Sequence, residues 1–237
     1  MDPVRLLITR PREDAENLAD QLARLGHETL IEPLLEIHDL APTEPLPDHV
    51  QAVLVTSANG LRAFARLSDR RHVAVMAVGE ASAQAAIRAG FDQVESAGGD
   101  VRALAEMVRD KCHPDGGTLL HVAASRVAGD LSGQLQKAGF DVHRAVLYQA
   151  IKAAGLSETA RAEIAAGKID GVLLFSPRTA ETFVALMQKA GLTDRCEQMT
   201  ACCLSPAVAQ KVSAITWARL AIAADPNQAS LIDIIDQ

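Results

Sequence analysis

The chain has 237 residues, of which 49% are hydrophobic, and a formal net charge of -7 at pH 7. An acidic chain without basic runs argues against nucleic acid or an anionic membrane as the main partner. No apolar segment approaches the roughly 20 residues that a spanning helix needs, and the N-terminus lacks the apolar stretch of a signal peptide. We therefore expect a cytoplasmic protein.

The cysteines and histidines show no spacing typical of a disulfide framework or a metal site. Cys112 and Cys196 stand alone, whereas Cys202 and Cys203 are neighbours on a predicted strand and would point to opposite faces. We expect four buried, reduced thiols. The 7 histidines include no His-x-x-x-His pair, so no metal is predicted.

The first elements alternate strand, helix and strand. Val4–Thr9 is predicted to be a buried strand, followed by a helix over Glu13–Leu25. His27–Leu35 is predicted to be a second strand, and Pro33 within it indicates an edge strand or an element that leaves its sheet. The proline-rich segment 41–47 follows and is the strongest linker signal in the chain.

After this linker, strands and helices alternate with short turns. The predicted strands are Ala52–Thr56, Val73–Val78, Gln93–Glu95, Thr118–Ala123 and Val142–Gln149. The predicted helices are Asn59–Leu67, Ser82–Ala89, Val101–Arg109 and Ala128–Ala138. This alternation predicts a parallel sheet that is covered on both faces.

The pattern then restarts. A helix is predicted over Ser157–Ala166 and strands over Gly171–Phe175, Thr200–Leu204 and Arg219–Ala223, and the last predicted helix is Gln228–Ile235. Segments 51–64 and 169–183 resemble each other when they are aligned on Ser57 and Ser176. The sequence therefore predicts two related α/β units.

Counting strands assigns the N-terminal elements to the C-terminal unit. That unit has three good strands of its own, and the first two strands of the chain complete a five-stranded doubly wound sheet. We predict a discontinuous domain one over residues 1–36 and 152–237 and a domain two over residues 41–145. Residues 36–40 and 146–152 would form the crossings between them.

Candidate binding residues lie where the predicted strands end, because open α/β sheets bind ligands at the carboxyl ends of their strands. They are Thr9, Arg10, Thr56, Ser57, Ala58, Asn59, Gly79, Glu80, Ala81, Ser82, Ser125, Arg126, Ser176, Pro177, Arg178, Ser205, Pro206 and Ala207. Two interpretations apply. The hydroxyl groups can cap helices, and the exposed N–H groups of helix N-termini can bind carboxylates or phosphates. Arg10, Arg126 and Arg178 are candidates for binding carboxylates, and as single arginines at strand ends they are more typical of solvated surface residues.

The common catalytic and nucleotide-binding motifs are absent from the sequence. There is no GxGxxG after a strand, no GxxxxGK[ST] and no GxSxG, and no Ser-His-Asp or Cys-His arrangement has a recognisable spacing. A nucleotide-dependent transferase is disfavoured for this reason. A non-catalytic two-domain sensor of small anions remains an alternative.

Seven short segments together resemble the uroporphyrinogen-III synthase family. They are ITRP at 8–11, PLLEI at 33–37, TSANG at 56–60, AVGEASA at 77–83, VLYQ at 146–149, FSPRTAETF at 175–183 and CLSPAVA at 203–209. Each is weak alone, but their order and spacing over nearly the whole chain are specific.

The resemblance implies two doubly wound parallel-sheet α/β domains, flavodoxin-like or HemD-like, joined by a two-stranded ladder with the substrate in the cleft between them. It implies a cofactor-independent lyase of tetrapyrrole biosynthesis that cyclises hydroxymethylbilane to uroporphyrinogen III, inverting ring D and releasing water. It also implies a monomer that receives its substrate from the preceding pathway enzyme. Tyr148, the chain's only tyrosine, matches the family's proposed acid. An amphipathic residue that bridges core and cleft is the alternative role for Tyr148.

Overall fold

The computed structural model describes residues 3–126 and 129–235. The chain divides into two compact units, which are unit 1, Met1–Glu36 with Ile151–Gln237, and unit 2, Ile37–Ala150. None of the helices in the described residues is long and apolar enough to cross a membrane.

Eleven strands and nine α-helices are described. The strands are β1 Arg5–Ile8, β2 Glu28–Ile31, β3 Leu35–Asp39, β4 Val50–Val55, β5 Ala74–Ala77, β6 Val94–Ser96, β7 Thr118–Ala124, β8 Val142–Lys152, β9 Gly171–Leu174, β10 Thr200–Cys203 and β11 Arg219–Ile222. The helices are α1 Arg12–Arg24, α2 Ala58–Leu67, α3 Glu80–Arg88, α4 Val101–Lys111, α5 Leu131–Lys137, α6 Glu158–Ala165, α7 Pro177–Ala190, α8 Pro206–Val212 and α9 Gln228–Asp233. The predicted helix 128–138 begins outside the described residues, and its described part starts at Leu131.

Unit 1 contains a five-stranded sheet in the order β11-β10-β9-β1-β2, and every neighbouring pair is parallel. Numbered within the unit, this is the order 2-1-3-4-5 of flavodoxin-like sheets. The two N-terminal strands thus share a sheet with the three C-terminal ones.

Unit 2 contains a six-stranded sheet in the order β3-β8-β7-β4-β5-β6. The strands from β4 to β8 pair in parallel. Numbered from β4, they follow the other common doubly wound order, 3-2-1-4-5. The predicted crossing segments 36–40 and 146–152 lie largely on β3 and β8. A hydrogen bond from Leu40 N to Leu147 O, 2.8 Å long, joins the two segments.

Both faces of each sheet are covered by helices, which confirms the predicted doubly wound class. In unit 1, Leu7 packs with α6, α7 and α8, whereas Leu6 and Ile8 pack with α1 and α9. In unit 2, Val53 packs with α2 and α3, and Leu54 packs with α4 and α5. Because successive side chains of a strand point to opposite faces, each strand contributes to two cores.

The predicted strand His27–Leu35 is wrong as one element. It divides into β2 and β3, which belong to different sheets. Pro33 has no N–H to donate to a ladder, and Leu34 N donates instead to Thr9 O at 3.2 Å. The prediction that Pro33 marks an edge strand is confirmed, because β2 lies at the edge of its sheet.

Glu32 holds the chain where it leaves β2. Its carboxylate is 5% exposed and accepts hydrogen bonds from Ser157 N at 2.7 Å and from Ser157 Oγ at 2.6 Å. Ser157 also caps α6 by accepting from Ala160 N at 3.1 Å. The buried carboxylate of Glu32 therefore finds its hydrogen-bond donors at the N-terminus of α6, because a buried charged group needs such partners.

All four cysteines are buried free thiols, as predicted. Cys202 and Cys203 point into different cores, as their adjacent positions require. Burial raises the pKa of Cys202 to about 11 and that of Cys203 to about 12, so both thiols are protonated at neutral pH.

His121 is a polar residue inside the buried strand β7. It is 3% exposed, and its Nδ1 lies 2.8 Å from Ser132 Oγ. Burial lowers its pKa to about 4, and the Arg144 guanidinium contributes to this lowering, whereas the Asp130 carboxylate opposes the shift. The imidazole is therefore neutral at pH 7.

The depressed pKa predicts acid sensitivity. In the unfolded chain a histidine titrates near pH 6.5, so that state binds more protons between pH 6.5 and 4 and the stability present above this range is lost as the pH falls. We expect His121 to account for a loss of about 3 kcal/mol over the interval. Urea unfolding at both pH values measures it.

His121→Gln should lose correspondingly less stability over the same interval. His49→Gln, a change at an exposed histidine of the same unit, should keep the wild-type loss. Equal losses in the wild type and His121→Gln would contradict the assignment.

Candidate active site

Each sheet has one place where its strand order reverses, between β1 and β9 in unit 1 and between β4 and β7 in unit 2. Ligands of open α/β sheets bind outside the carboxyl ends of the strands at this place. In unit 2 the two strand ends are followed by Thr56–Asn59 and by Ser125–Arg126, and in unit 1 by Thr9–Arg10 and by Ser176–Arg178. These predicted residues therefore lie where the topology places a ligand, whereas the predicted residues 79–82 and 205–207 follow the neighbouring strands β5 and β10.

Tyr148 is oriented by a β-bulge. Ala123 pairs with Val146 and Ala124 pairs with Tyr148, so β8 has one residue, Leu147, more than β7 at this point. Strict alternation would put Leu147 and Tyr148 on opposite faces, but both contribute to the core beneath α2 and α3. Bulges reorient side chains in this way and are frequent beside active sites.

The bulge brings the phenol to the start of α2. Tyr148 Oη lies 2.6 Å from Ser57 Oγ, and Ser57 is the N-cap of α2, where it accepts a hydrogen bond from Gly60 N at 3.1 Å. Ser125 N donates to Tyr148 O at 2.9 Å. Residues that follow β4 and β7 thus meet Tyr148 of β8 in one group of contacts.

The phenol of Tyr148 is protonated at neutral pH. The residue is 7% exposed, and this burial raises its pKa, whereas the hydrogen bond with Ser57 lowers it. Because the reference value is already near 10, the group remains a proton donor throughout the physiological range.

Sequence reasoning missed Gly60. An added Cβ at this position would lie 3.3 Å from Tyr148 Cε1 and 3.4 Å from Val122 Cγ1. The bare backbone therefore allows the ring to pack against the first turn of α2. The motif TSANG contains this glycine, but the sequence alone does not show which ring approaches it.

The other unit 2 candidates follow β4, β5 and β7 at the carboxyl edge of the sheet. Thr56, Ala58, Asn59 and Gly79 are half-buried, Ser82 is 5% exposed, and Glu80, Ala81, Ser125 and Arg126 are exposed. Gly79 is the N-cap of α3. Because glycine has no side chain, it cannot cap the first N–H groups of that helix as Ser57 caps α2.

Two further arginines lie at this edge and were not predicted. Arg62 Nη1 donates to Asn59 Oδ1 at 2.9 Å, and Arg144 Nη2 donates to Ala124 O at 3.1 Å. Arg62 follows the TSANG motif by two residues, which was an available signal. Arg144 precedes the predicted end of its strand, so only the pairing of β8 with β7 reveals its place.

In unit 1, Ser176 and Ser205 both precede a proline that starts a helix. Ser176 caps α7 by accepting from Thr179 N at 3.1 Å, so the capping interpretation applies to it as it does to Ser57. Ser205 precedes α8 and makes no side-chain cap bond. Arg178 is half-buried in the first turn of α7, and Pro206 and Ala207 are exposed.

Thr9 and Arg10 have structural contacts in unit 1. Thr9 is fully buried, and its hydroxyl donates to Leu173 O at 2.6 Å. The Arg10 guanidinium lies 4.5 Å from the centre of the Phe175 ring, and Nη1 donates to Gln228 Oε1 at 2.9 Å. The Thr9 hydroxyl is committed to strand β9 and is not part of the binding set that we propose below.

No group of three or more His, Cys, Asp or Glu side chains within residues 3–126 and 129–235 is arranged to hold a metal ion. The site instead consists of hydroxyl groups, helix N-termini, arginines and one buried phenol. Such groups bind carboxylates and can donate a proton.

These features define a two-unit α/β protein of doubly wound parallel sheets, with a protonated tyrosine of β8 that contacts the N-cap of α2. A family model described as HEM4, uroporphyrinogen-III synthase HemD, matches residues 16–233. The chain therefore belongs to the uroporphyrinogen-III synthase family.

Solved structures with the same fold agree. Uroporphyrinogen-III synthetase from Helicobacter pylori shares 16% identity with a TM-score of 0.64, and the match covers 98% of each chain. A mutant uroporphyrinogen III synthase from the extremely thermophilic bacterium Thermus thermophilus shares 15% identity with a TM-score of 0.51 over 98% of this chain and 97% of that one. At these identities the likeness concerns the fold. Among curated proteins, no match was found.

The contact between Gly60 and Tyr148 predicts the effect of adding one methyl group. Overpacking costs about 1–3 kcal/mol, against about 1 kcal/mol by which alanine is the better helix former. We expect Gly60→Ala to lower the free energy of unfolding by about 1 kcal/mol and to displace the phenol. Urea unfolding and the NMR signal of ζ-¹³C-labelled tyrosine measure the two effects.

Gly155→Ala is the matched control, because an added Cβ there meets no atom within 4 Å. It should leave the tyrosine signal unchanged. An unchanged signal in Gly60→Ala together with a more stable protein would contradict the described packing.

Proposed function

We propose that the protein cyclises hydroxymethylbilane to uroporphyrinogen III, with inversion of ring D and release of water. The family assignment makes it an enzyme of tetrapyrrole synthesis. The observation that supports this particular reaction best is the buried, protonated Tyr148, whose hydroxyl oxygen lies 2.6 Å from Ser57 Oγ at the N-terminus of α2. We assign to Tyr148 the role of the acid that protonates the departing hydroxyl group of the substrate.

The main task in this reaction is geometric. The linear substrate can lose its hydroxyl group and close unaided to the wrong isomer, so the enzyme must hold the chain until its terminal carbon attacks the substituted position of ring D. Fixing reacting groups in a near-attack geometry can contribute about 7–11 kcal/mol. Rigid strand ends and first helical turns are suitable for this purpose, because their backbone is fixed by the sheets.

Binding of the substrate carboxylates is assigned to helix N-termini. The first turns of α2, α3, α7 and α8 follow strand ends. The N-terminus of a helix carries a positive partial charge and N–H groups that have no partner within the helix. No side chain of the N-cap residue bonds the first turn of α3 or α8, and Ser82 N and Val208 N donate to the N-cap carbonyl oxygens. We therefore assign an external anion to Glu80 N and Ala81 N of α3 and to Ala207 N of α8, since Pro206 has no N–H. Arg126 and Arg178 are the arginines that we assign to the same role.

Within this proposal the enzyme is a lyase that needs no cofactor and acts in the cytoplasm as a monomer. It receives its substrate from the preceding pathway enzyme. A tyrosine acid and an array of carboxylate-binding groups are sufficient for loss of water and ring closure, because neither step changes the oxidation state of the substrate.

Isomer analysis tests the proposal directly. The protein is incubated with freshly prepared hydroxymethylbilane, and the products are oxidised and separated as porphyrins. We expect mainly the type III isomer, whereas a protein-free control gives type I. Type I alone at every protein concentration would refute the proposal and favour a non-catalytic binding protein.

Replacing the phenol separates rate from isomer choice. Tyr148→Phe keeps the ring but removes its proton, and we expect turnover to fall about 100-fold, within the usual range for a general acid. The residual product should remain mainly type III, because geometry decides the isomer. Initial rates and isomer ratios measure both effects.

Unchanged turnover in a folded Tyr148→Phe variant would remove Tyr148 from the mechanism. A slow variant that makes mostly type I would instead show that Tyr148 positions the substrate.

A further inference from the structure

Ser57 makes a second hydrogen bond with its hydroxyl group, in addition to the one expected of an N-cap. Its Oγ accepts from Gly60 N at 3.1 Å and lies 2.6 Å from Tyr148 Oη, and either hydroxyl could be the donor in the second contact. A serine hydroxyl has one hydrogen and two acceptor positions. Because Gly60 occupies one acceptor position, the hydrogen of Ser57 is still available to Tyr148.

The direction of this bond decides what the phenol can do. If Tyr148 donates to Ser57, its proton is engaged within the protein. If Ser57 donates to Tyr148, the phenol proton is free for the substrate, and a phenolate left behind would already have a donor 2.6 Å away. Hydrogen bonds to a charged acceptor are stronger than those to a neutral one, so loss of the proton favours the second arrangement.

Helix α2 reinforces the second arrangement. Ser57 lies at its positive N-terminal end, and the bond from Gly60 N polarises the hydroxyl group toward donation. The corresponding N-cap in unit 1, Ser176, has Thr179 Oγ1 at 2.9 Å as its hydroxyl partner. The tyrosine contact is therefore specific to the unit 2 copy of the repeat.

We propose that Ser57 is a positioning residue that holds the Tyr148 hydroxyl and donates its own hydrogen to the phenolate oxygen as the phenol proton leaves. This inference rests on the proposed function. It assigns Ser57 to the acid rather than to the substrate, although the sequence predicted substrate binding for it.

The step balances without a further reactant. The Oη–H bond of Tyr148 breaks and its proton forms an O–H bond with the departing hydroxyl group. The C–O bond of that group breaks, its electron pair stays on oxygen, and water leaves. Ser57 stabilises the phenolate until the phenolate takes back the proton that a substrate carbon loses as the ring closes.

A double-mutant cycle tests the inference. Turnover and KM for hydroxymethylbilane are measured for the wild type, Ser57→Ala, Tyr148→Phe and the double variant. We expect Ser57→Ala to lower kcat by about 10- to 100-fold, as for a bond to a charged group, and to change KM less than about twofold. In the Tyr148→Phe background the same change should lower kcat less than about threefold, because the two residues act as one unit.

Two further variants separate this role from helix capping. Ser57→Thr keeps the hydroxyl group and should restore most of the turnover. Asp100→Ala removes another N-cap of unit 2, the carboxylate that accepts from Arg102 N and Ala103 N at the start of α4, and should lower stability without lowering kcat.

The chain has a single tyrosine, so ζ-¹³C-labelled tyrosine gives one NMR signal. The chemical shift of this signal should change in Ser57→Ala and return toward the wild-type value in Ser57→Thr.

The outcomes are distinguishable. Equal and additive effects of Ser57→Ala in both backgrounds, or a raised KM with unchanged kcat, would overturn the positioning role and make Ser57 a substrate ligand. A wild-type protein that forms no type III product would instead overturn the proposed function, whatever the tyrosine signal shows.

Discussion

Burial of both faces of a parallel sheet is the constraint on which the rest of each unit depends. Parallel strands must be covered by helices on either side, so β4 and β9 are almost wholly apolar and their polar neighbours can occur only where the strands end. Each strand end then leads into the first turn of a helix, whose N–H groups have no partner within the helix. A doubly wound unit therefore concentrates hydroxyl groups, glycines and helix N-termini at one edge, and the candidate site is a consequence of that arrangement.

The same local geometry has different uses in the two units. Ser57 and Ser176 occupy equivalent positions after equivalent strands, and each accepts a backbone hydrogen bond from the residue three positions later. Capping explains this shared bond fully. What differs is the partner of the hydroxyl group, which is a tyrosine in unit 2 and a threonine in unit 1. The serine N-cap, which has a structural role in both units, thus also contacts the proposed acid in unit 2.

Two departures from regular structure position that partner. The extra residue of β8 turns Tyr148 toward α2, and the missing side chain of Gly60 leaves room for the ring. Both would weaken an ordinary element, because a bulge interrupts a ladder and glycine is a poor helix former. Both lie against the 7% exposed phenol, so the position of that group is obtained at a cost in the stability of the two elements. In contrast, the hydroxyl of Thr9 and the guanidinium of Arg10 are used for packing and for holding unit 1 together.

The sequence by itself determined the alternation of strands and helices, the opposite orientation of Cys202 and Cys203, and the edge position of the strand near Pro33, because these follow from local periodicity and from the missing N–H of proline. It also identified the strand ends where candidate residues lie. Only the tertiary structure decided that Ser57 and Tyr148, 91 positions apart, share a hydrogen bond and that β2 and β3 belong to different sheets. Register, bulges and strand order depend on pairing between distant segments, which no local pattern specifies.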